Sequence, residues 1–207
     1  MGVLQLARTS APSLESSGFA KLHIDGVIAA AIVTDDVRRS GRSHRTSVAA
    51  QGAGFAADTY VTNSGLLVPS FGLQAQTMFE WLISTSKTAA GVATPIYTFR
   101  VGLLQTTSDI AFHSVTGPAQ TAAVDTGLLS VLLVVRSVGA AGVMQATVAW
   151  SHDAAAAGFA NNDASAAEAT SGGINNSAFQ GTYVGLSING GASAAWTVTQ
   201  VRAQAIW

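Results

Sequence analysis

The sequence predicts an all-β protein, a jelly-roll-like antiparallel β-sandwich with an extended N-terminal arm. Short runs rich in Val, Ile, Thr, Phe, Tyr and Trp, the residues that suit a pleated surface, recur over residues 58–207 and are separated by Gly, Pro, Asn and Asp. No helical periodicity of 3.6 residues lies beside these runs. Many short strands at this spacing are typical of a sandwich or jelly roll.

The composition is that of a folded subunit with little charge. The chain has 207 residues, of which 48% are hydrophobic, so material for a core is ample. Only 10% are charged, against about 25% in ordinary soluble domains. Free monomers usually carry more surface charge to stay soluble. The low charge therefore indicates a surface that is partly covered by partners, or one that is kept polar by Ser, Thr, Asn and Gln. We expect a homo-oligomer, for example a trimer.

Charge and cysteine content exclude several classes of protein. A net charge of −1 gives no overall footprint for nucleic acid, and the absence of cysteine excludes disulfides and thiolate metal sites. The first residues lack the basic start and apolar run of a signal peptide. The most apolar stretch, 128–135, is far shorter than the ~20 residues that span a bilayer. We expect a subunit made in the cytoplasm, with neither membrane nor nucleic acid as partner.

Residues 1–57 are predicted to form the N-terminal arm. They hold six basic and four acidic residues, a net charge of +2, whereas residues 58–207 hold four basic and seven acidic residues, a net charge of −3. Extended runs over 20–25 and 27–34 flank Asp25-Gly26, a pair that favours a hairpin turn. Residues 36–54 are rich in Arg, Ser, Gly and Ala, which predicts a linker that orders on contact.

Residues 58–207 are predicted to form the sandwich domain. Tyr97, Phe99 and Val101 alternate with polar neighbours, which indicates a half-buried strand. The alanine-rich stretch 154–169 is interrupted by Gly, Asn and Asp and lacks an apolar stripe, so a polar loop is favoured over a helix there. Strands are predicted at 59–62, 66–69, 77–87, 96–101, 110–114, 128–138, 143–152, 178–182, 183–189 and 195–206.

Several motifs resemble the β-sandwich virion structural proteins of tailed bacteriophages, of the head-decoration, head-fibre or tail-appendage type. The stretch DTYVTNSG at 58–65, running on to Pro69, is followed by TSKTAAGVATPIYTFRV at 85–101. In that group a similar entry precedes a strand bearing Trp, then a KTAAG segment and an RVG strand, here Trp81, Lys87 and Arg100. The resemblance covers most of residues 58–207. It implies a virion structural role, in the head or in the tail.

The N-terminal piece at 18–25 is similar to a short segment that opens many phage appendage proteins. In this sequence His23-Ile24 stands where that segment has an aromatic-aliphatic pair. The resemblance implies that the arm anchors the sandwich to a larger assembly.

No catalytic or metal site is predicted, and no cofactor. The four histidines are far apart in sequence. Ser151-His152-Asp153 holds the residue types of a hydrolytic triad, but adjacency is the wrong geometry, because the three groups must converge from separate elements. Most carboxylates lie beside turn residues, where capping hydrogen bonds explain them.

Two groups of residues are candidate binding sites. Arg38, Arg39, Arg42 and Arg45 form a basic run without interleaved aromatics, which suits pairing with carboxylates of a partner subunit better than DNA. Trp81 with Glu80 is a candidate saccharide contact, in which the indole would stack on a sugar. The competing interpretation is that Glu80 points to solvent while Phe79 or Trp81 packs inward.

The leading hypothesis is a non-catalytic virion structural protein, a capsid-decoration or head-fibre subunit. Its arm would bind the major capsid protein or another virion protein, and its location would be the virion. The alternative is a tail-appendage module that binds a cell-surface carbohydrate receptor, and a hydrolase is a third hypothesis. We also expect the C-terminal Trp207 to be packed within the fold or at an interface.

Overall fold

The computed structural model describes residues 42–88, 90–152, 158–159 and 164–207. The predicted hairpin at 20–34, together with Arg38 and Arg39, lies outside these ranges. No helix among the described residues is long and apolar enough to cross a membrane.

The described residues form twelve β-strands and one short 3₁₀ turn, so the predicted all-β class is confirmed. The turn spans Asn176–Phe179. The strands are β1 (Arg42–Ser47), β2 (Gln51–Gly54), β3 (Thr59–Tyr60), β4 (Leu66–Leu67), β5 (Met78–Lys87), β6 (Ile96–Gly102), β7 (Ile110–Thr116), β8 (Asp125–Ser137), β9 (Val143–His152), β10 (Ala164–Thr170), β11 (Tyr183–Asn189) and β12 (Trp196–Ile206).

The strands form two antiparallel sheets, the two layers of a β-sandwich. The first sheet runs β1–β12–β5–β8–β9–β10, with β2 also paired to β12, and the second runs β3–β11–β6–β7, with β4 also paired to β11. β5 lies near the middle of the first sheet, where Trp81 stands opposite Ala203 of β12 and Val131 of β8. Side chains along β5 alternate between buried and half-buried, the pattern of a strand with one face on the core.

The order of the strands is that of a jelly roll. β1 and β2 together occupy one strand position beside β12, and β3 and β4 occupy one beside β11. The first strand position therefore pairs with β12, and the second pairs with β11. β5 pairs with β8 and β6 pairs with β7, so each of these pairs is nested in the chain order inside the pair before it. This nesting of antiparallel pairs is the jelly-roll arrangement. The hairpin formed by β9 and β10 extends the first sheet beyond β8.

Residues 42–54 belong to the sandwich, although the sequence assigned them to a linker and began the sandwich at residue 58. β1 and β2 form the first strand position of the jelly roll, with Gly54 opposite Trp196 and Gln51 opposite Val198. The Gln51 side chain donates to the carbonyl of Thr62 and accepts from its amide, at 3.1 and 2.8 Å. These strands arise from backbone pairing at a sheet edge, which the polar sequence of residues 42–47 does not reveal.

Two other predicted segments differ from the structure. The strand predicted at 178–182 is wrong, because the 3₁₀ turn covers its first half and a turn follows. The loop predicted at 154–169 contains β10, which pairs with β9 and is rich in alanine. Residues 153–157 and 160–163 lie outside the described ranges.

Aromatic side chains fill the space between the sheets. Trp150 stacks on Phe159 with ring centroids 4.3 Å apart, and Trp196 meets both rings edge-on. The buried indole N–H groups have acceptors: Trp150 donates to the Tyr97 hydroxyl at 2.8 Å and Trp196 to the Gln120 amide oxygen at 2.9 Å. A buried N–H without an acceptor would cost about 1–3 kcal/mol, so these bonds stabilise the core.

Candidate functional site

Trp81, a candidate saccharide contact in the sequence, is a core residue. It is 0% exposed, and its Nε1 donates to the carbonyl of Ser64 at 2.7 Å. Its ring lies against Phe79 and Phe99, with centroids 6.1 and 5.8 Å away. The indole offers no open face to a sugar, because the alternation of β5 directs it between the sheets.

Glu80 lies on the opposite face of β5 from Trp81, since neighbouring residues of a strand point to opposite sides. It is half-buried and accepts a hydrogen bond from Nε2 of Gln204 at 2.7 Å. The two residues therefore do not share one site. The structure agrees with the competing interpretation, in which Glu80 faces outward while Phe79 and Trp81 pack inward.

Two of the four arginines of the basic run, Arg42 and Arg45, lie within the described residues. Arg42 opens β1, and Arg45 lies within it. Arg45 donates to the side-chain oxygen of Gln105 at 3.1 Å, and its guanidinium lies 5.4 Å from the ring centroid of Tyr183. A cation above an aromatic ring is stabilised electrostatically. Arg45 thus binds its own sandwich, at the end where the connection between β6 and β7 lies.

That connection, residues 103–109, is held in place by Arg100 on β6. The guanidinium donates to the Ser187 hydroxyl at 2.8 Å and to the carbonyls of Thr107 and Asp109 at 2.9 and 2.8 Å. It also forms an ion pair with Asp58, and the Arg100 side chain is only 11% exposed. One planar cation therefore holds the β7 end of the connection against β11 and the loop that contains Asp58.

Asp109 fixes the same connection from inside. Its buried carboxylate accepts hydrogen bonds from the amides of Leu104 and Gln105, at 3.1 and 2.7 Å. Gln105 has a φ of +57°, a conformation that costs a non-glycine residue energy and persists where surrounding bonds hold it. At Gly102 an added Cβ would overlap the Asp109 carboxylate, so glycine is needed for this approach.

The consequence is a rigid support that carries exposed apolar side chains. Leu103, Leu104 and Ile110 are 67%, 66% and 70% exposed; we name these three residues the apolar tip. Exposed apolar groups that cluster on an ordered surface are typical of contact sites between proteins. The apolar tip was not predicted from the sequence, in which its signal is a Leu-Leu pair directly after the RVG strand.

The motif residues around 85–101 have structural roles. Lys87 is buried, and its ammonium donates to the carbonyls of Thr121 and Ala123 at 2.8 and 3.0 Å. Burial lowers the pKa of Lys87, and the carboxylate of Asp125 opposes that shift. An added Cβ at Gly91 would overlap the carbonyl of Ser193. The KTAAG segment thus has two structural roles. Lys87 supplies a buried cation, and Gly91 lets two backbone segments lie close together.

Histidines and carboxylates do not assemble into a metal centre among the described residues. His44 is exposed on β1. The ring of His113 lies 5.9 Å from Phe99 and shares a hydrogen bond with the carbonyl of Ala169 at 3.1 Å. His113 therefore links β7 to β10 across the two sheets.

Trp207 packs on the fold as the sequence predicted. It is half-buried, and its ring meets Phe79 edge-on with centroids 5.5 Å apart. The other three tryptophans of the chain are buried in the core: Trp81, Trp150 and Trp196.

Comparison with known proteins finds a likeness among solved structures. No family model matches the sequence, and no curated protein matches it. Among solved structures, the chain is similar to the CBM2 module of the evolved Dit of Lactobacillus casei BL23 phage J-1. The two share 6% sequence identity, the alignment covers 79% of this chain and 90% of that chain, and the TM-score is 0.23. A likeness of this size carries no argument about what the chain does.

Proposed function

We propose that the chain is a non-catalytic structural protein of a bacteriophage virion, which holds the apolar tip against another virion protein. The observation that carries this proposal is the support beneath the tip. Arg100 and Asp109 are both committed to fixing residues 103–109, while Leu103 and Leu104 stay exposed. Such preorganisation lowers the entropy cost of docking.

The ionisable groups inside the sandwich support a structural role in preference to catalysis. Lys87 binds backbone carbonyls, whereas Asp109 and Asp125 accept from backbone amides. The Tyr97 hydroxyl accepts from Trp150, and burial raises its pKa. Each group holds the chain together, and these bonds occupy the atoms that acid or base chemistry would use.

The finer assignment is a capsid-decoration or head-fibre subunit that is anchored through its N-terminal arm. The motif resemblance of residues 58–101 supports the virion role, and the neighbouring arginines Arg38, Arg39 and Arg42 support an arm that binds carboxylates. The partner would be the major capsid protein or another virion protein. Arg38, Arg39 and Arg42 stay candidates for this contact, whereas Arg45 binds Gln105 and Tyr183.

The carbohydrate-binding alternative is weakened, because three of its four tryptophans are core residues: Trp81, Trp150 and Trp196. A sugar stacks only on an accessible ring, and Trp207 is the one tryptophan that is half-buried. We therefore place the contact with a partner at the apolar tip and not at a tryptophan.

The test is the protein content of purified virions from a phage that encodes the chain. We expect mass spectrometry to detect the chain at a fixed ratio to the major capsid protein. Phage carrying Leu103→Asp with Leu104→Asp should lose it from the particle, while a matched Val124→Asp variant, also at an exposed apolar site, should retain it. Absence of the chain from wild-type virions would refute the proposal. Full retention of the double variant would refute the role of the tip.

A further inference from the structure

The outer face of the first sheet holds large apolar side chains among its polar ones. We define this face as the side chains of β5, β8, β9 and β12 that point away from the core. Its apolar members are half-buried or exposed: Met78, Leu82, Leu128, Leu132, Val134 and Ile206. An antiparallel sheet that faces water normally alternates apolar residues inside with polar residues outside. Here apolar residues lie on both faces.

Strand register places these residues next to one another. Met78 stands between Val134 of β8 and Ile206 of β12, which makes one continuous row across three strands. Leu132 stands opposite Glu80, and Leu82 opposite Ser130. The row of Met78, Val134 and Ile206 is therefore a continuous apolar patch at one end of the strands, and Leu132 and Leu82 extend it along β8 and β5 beside polar neighbours.

Two hydrogen bonds on this side of the sheet join side chains of neighbouring strands. Glu80 accepts from Gln204 at 2.7 Å, and Gln145 donates to Glu168 at 2.9 Å. Glu80 is therefore held in a defined direction on the face.

This face carries a positive and a negative side chain, Arg202 and Glu80, that could pair between two copies of the chain. Arg202 is exposed and forms no ion pair with any residue that the structure describes. It stands opposite Leu82, two residues from Glu80 on the adjacent strand. In an isologous contact each residue of one copy meets its partner residue on the other copy, and the reverse. A second copy turned by a twofold rotation can thus pair each Arg202 with the Glu80 facing it.

The size of the face also fits a second copy. Four neighbouring strands, β12, β5, β8 and β9, span about 19 Å at ~4.8 Å per strand. Ten residues extend about 33 Å at ~3.3 Å each, so the face covers roughly 630 Å². Stable interfaces bury about 600–1,000 Å² per partner.

We propose that the outer face of the first sheet is a twofold self-association surface, through which two copies of the chain pack sheet against sheet. This inference deepens the proposed structural role by naming the partner at this face. It predicts a dimer where a trimer was the example given above, because the same face of each copy forms the contact.

Sedimentation velocity of the purified full chain over a concentration series tests the pairing. We expect a dimer, and a dissociation constant raised at least tenfold in Leu132→Arg and in Leu82→Arg, since each buries an unpaired charge. The matched control is Ile96→Arg, exposed on the second sheet, which should dimerise like wild type. Circular dichroism melts show whether each variant is folded.

A charge exchange gives an independent readout. Arg202→Glu should weaken the dimer, and adding Glu80→Arg should restore it, because the exchanged pair is complementary again. A wild-type monomer at every concentration, or a trimer, would overturn the proposal. It would also fail if folded Leu132→Arg and Leu82→Arg variants dimerise normally, or if an Arg38→Ser and Arg39→Ser variant alone dissociates the dimer. The virion-content test is separate, so either proposal can fail without the other.

Discussion

Replacement of Arg100 by alanine tests the support beneath the apolar tip. The hydroxyl of Ser187, which is buried, would lose its charged donor, at a cost of about 1.5 kcal/mol. The bonds to the carbonyls of Thr107 and Asp109 contribute about 0.5 kcal/mol each, because water can replace part of them. The ion pair with Asp58, whose side chain is 34% exposed, adds about 0.5 kcal/mol. The free energy of unfolding should therefore fall by about 3 kcal/mol.

The assay is equilibrium unfolding in urea, followed by tryptophan fluorescence, with hydrogen exchange of the amides in residues 103–109. Arg100→Ala should also lose exchange protection in these residues before the rest of the sandwich unfolds. The control is Arg136→Ala, at an exposed site bonded to Gln145, which should cost less than about 0.5 kcal/mol. A loss below about 1 kcal/mol with unchanged protection would refute the view that Arg100 holds the connection.

Three further changes test the core and the motif. Trp81→Ala should lower the free energy of unfolding by about 3–5 kcal/mol, measured in urea; a near-neutral effect would contradict a core position. Gly91→Ala should cost about 1–3 kcal/mol, because the added methyl meets the carbonyl of Ser193, whereas Gly52→Ala, with open space around it, should cost no more than about 0.5 kcal/mol. Burial raises the pKa of Tyr97, so the unfolded state releases a proton above about pH 10 and the folded state does not. Stability should therefore fall above pH 10, and Tyr97→Phe should flatten that fall by up to about 1.4 kcal/mol per pH unit; an unchanged slope would contradict the assignment.

The proposed tip and the proposed self-association face lie on different parts of one sandwich. The tip follows β6 of the second sheet, and the outer face belongs to the first sheet. One copy could therefore contact a virion partner and a second copy at the same time. The low charged fraction of 10% agrees with a surface on which both contacts are covered.

Strands in the middle of the sheets could be predicted because their sequences alternate between residues that face the core and residues that face outward. β5 and β11 were predicted to within a residue, since apolar residues alternate with other residues over 77–87 and over 183–189, and such alternation is a local signal. β1 and β10 were missed. Their sequences, RSHRTS and ASAAEAT, hold no alternating large apolar residues, and both strands depend on a neighbour's backbone.

The sequence by itself determined the all-β class and most strand positions in the sandwich, because periodicity and turn residues are properties of short segments. It also predicted that Trp207 packs against the fold. Only the tertiary structure decided that Trp81 and Glu80 face opposite ways, that Arg45 binds Gln105, and that Leu103, Leu104 and Ile110 stand exposed on a fixed connection. The physical reason is that these properties depend on contacts between residues distant in sequence. Arg100, for example, joins Asp58 and Ser187, and no local pattern records which partners the fold will bring to it.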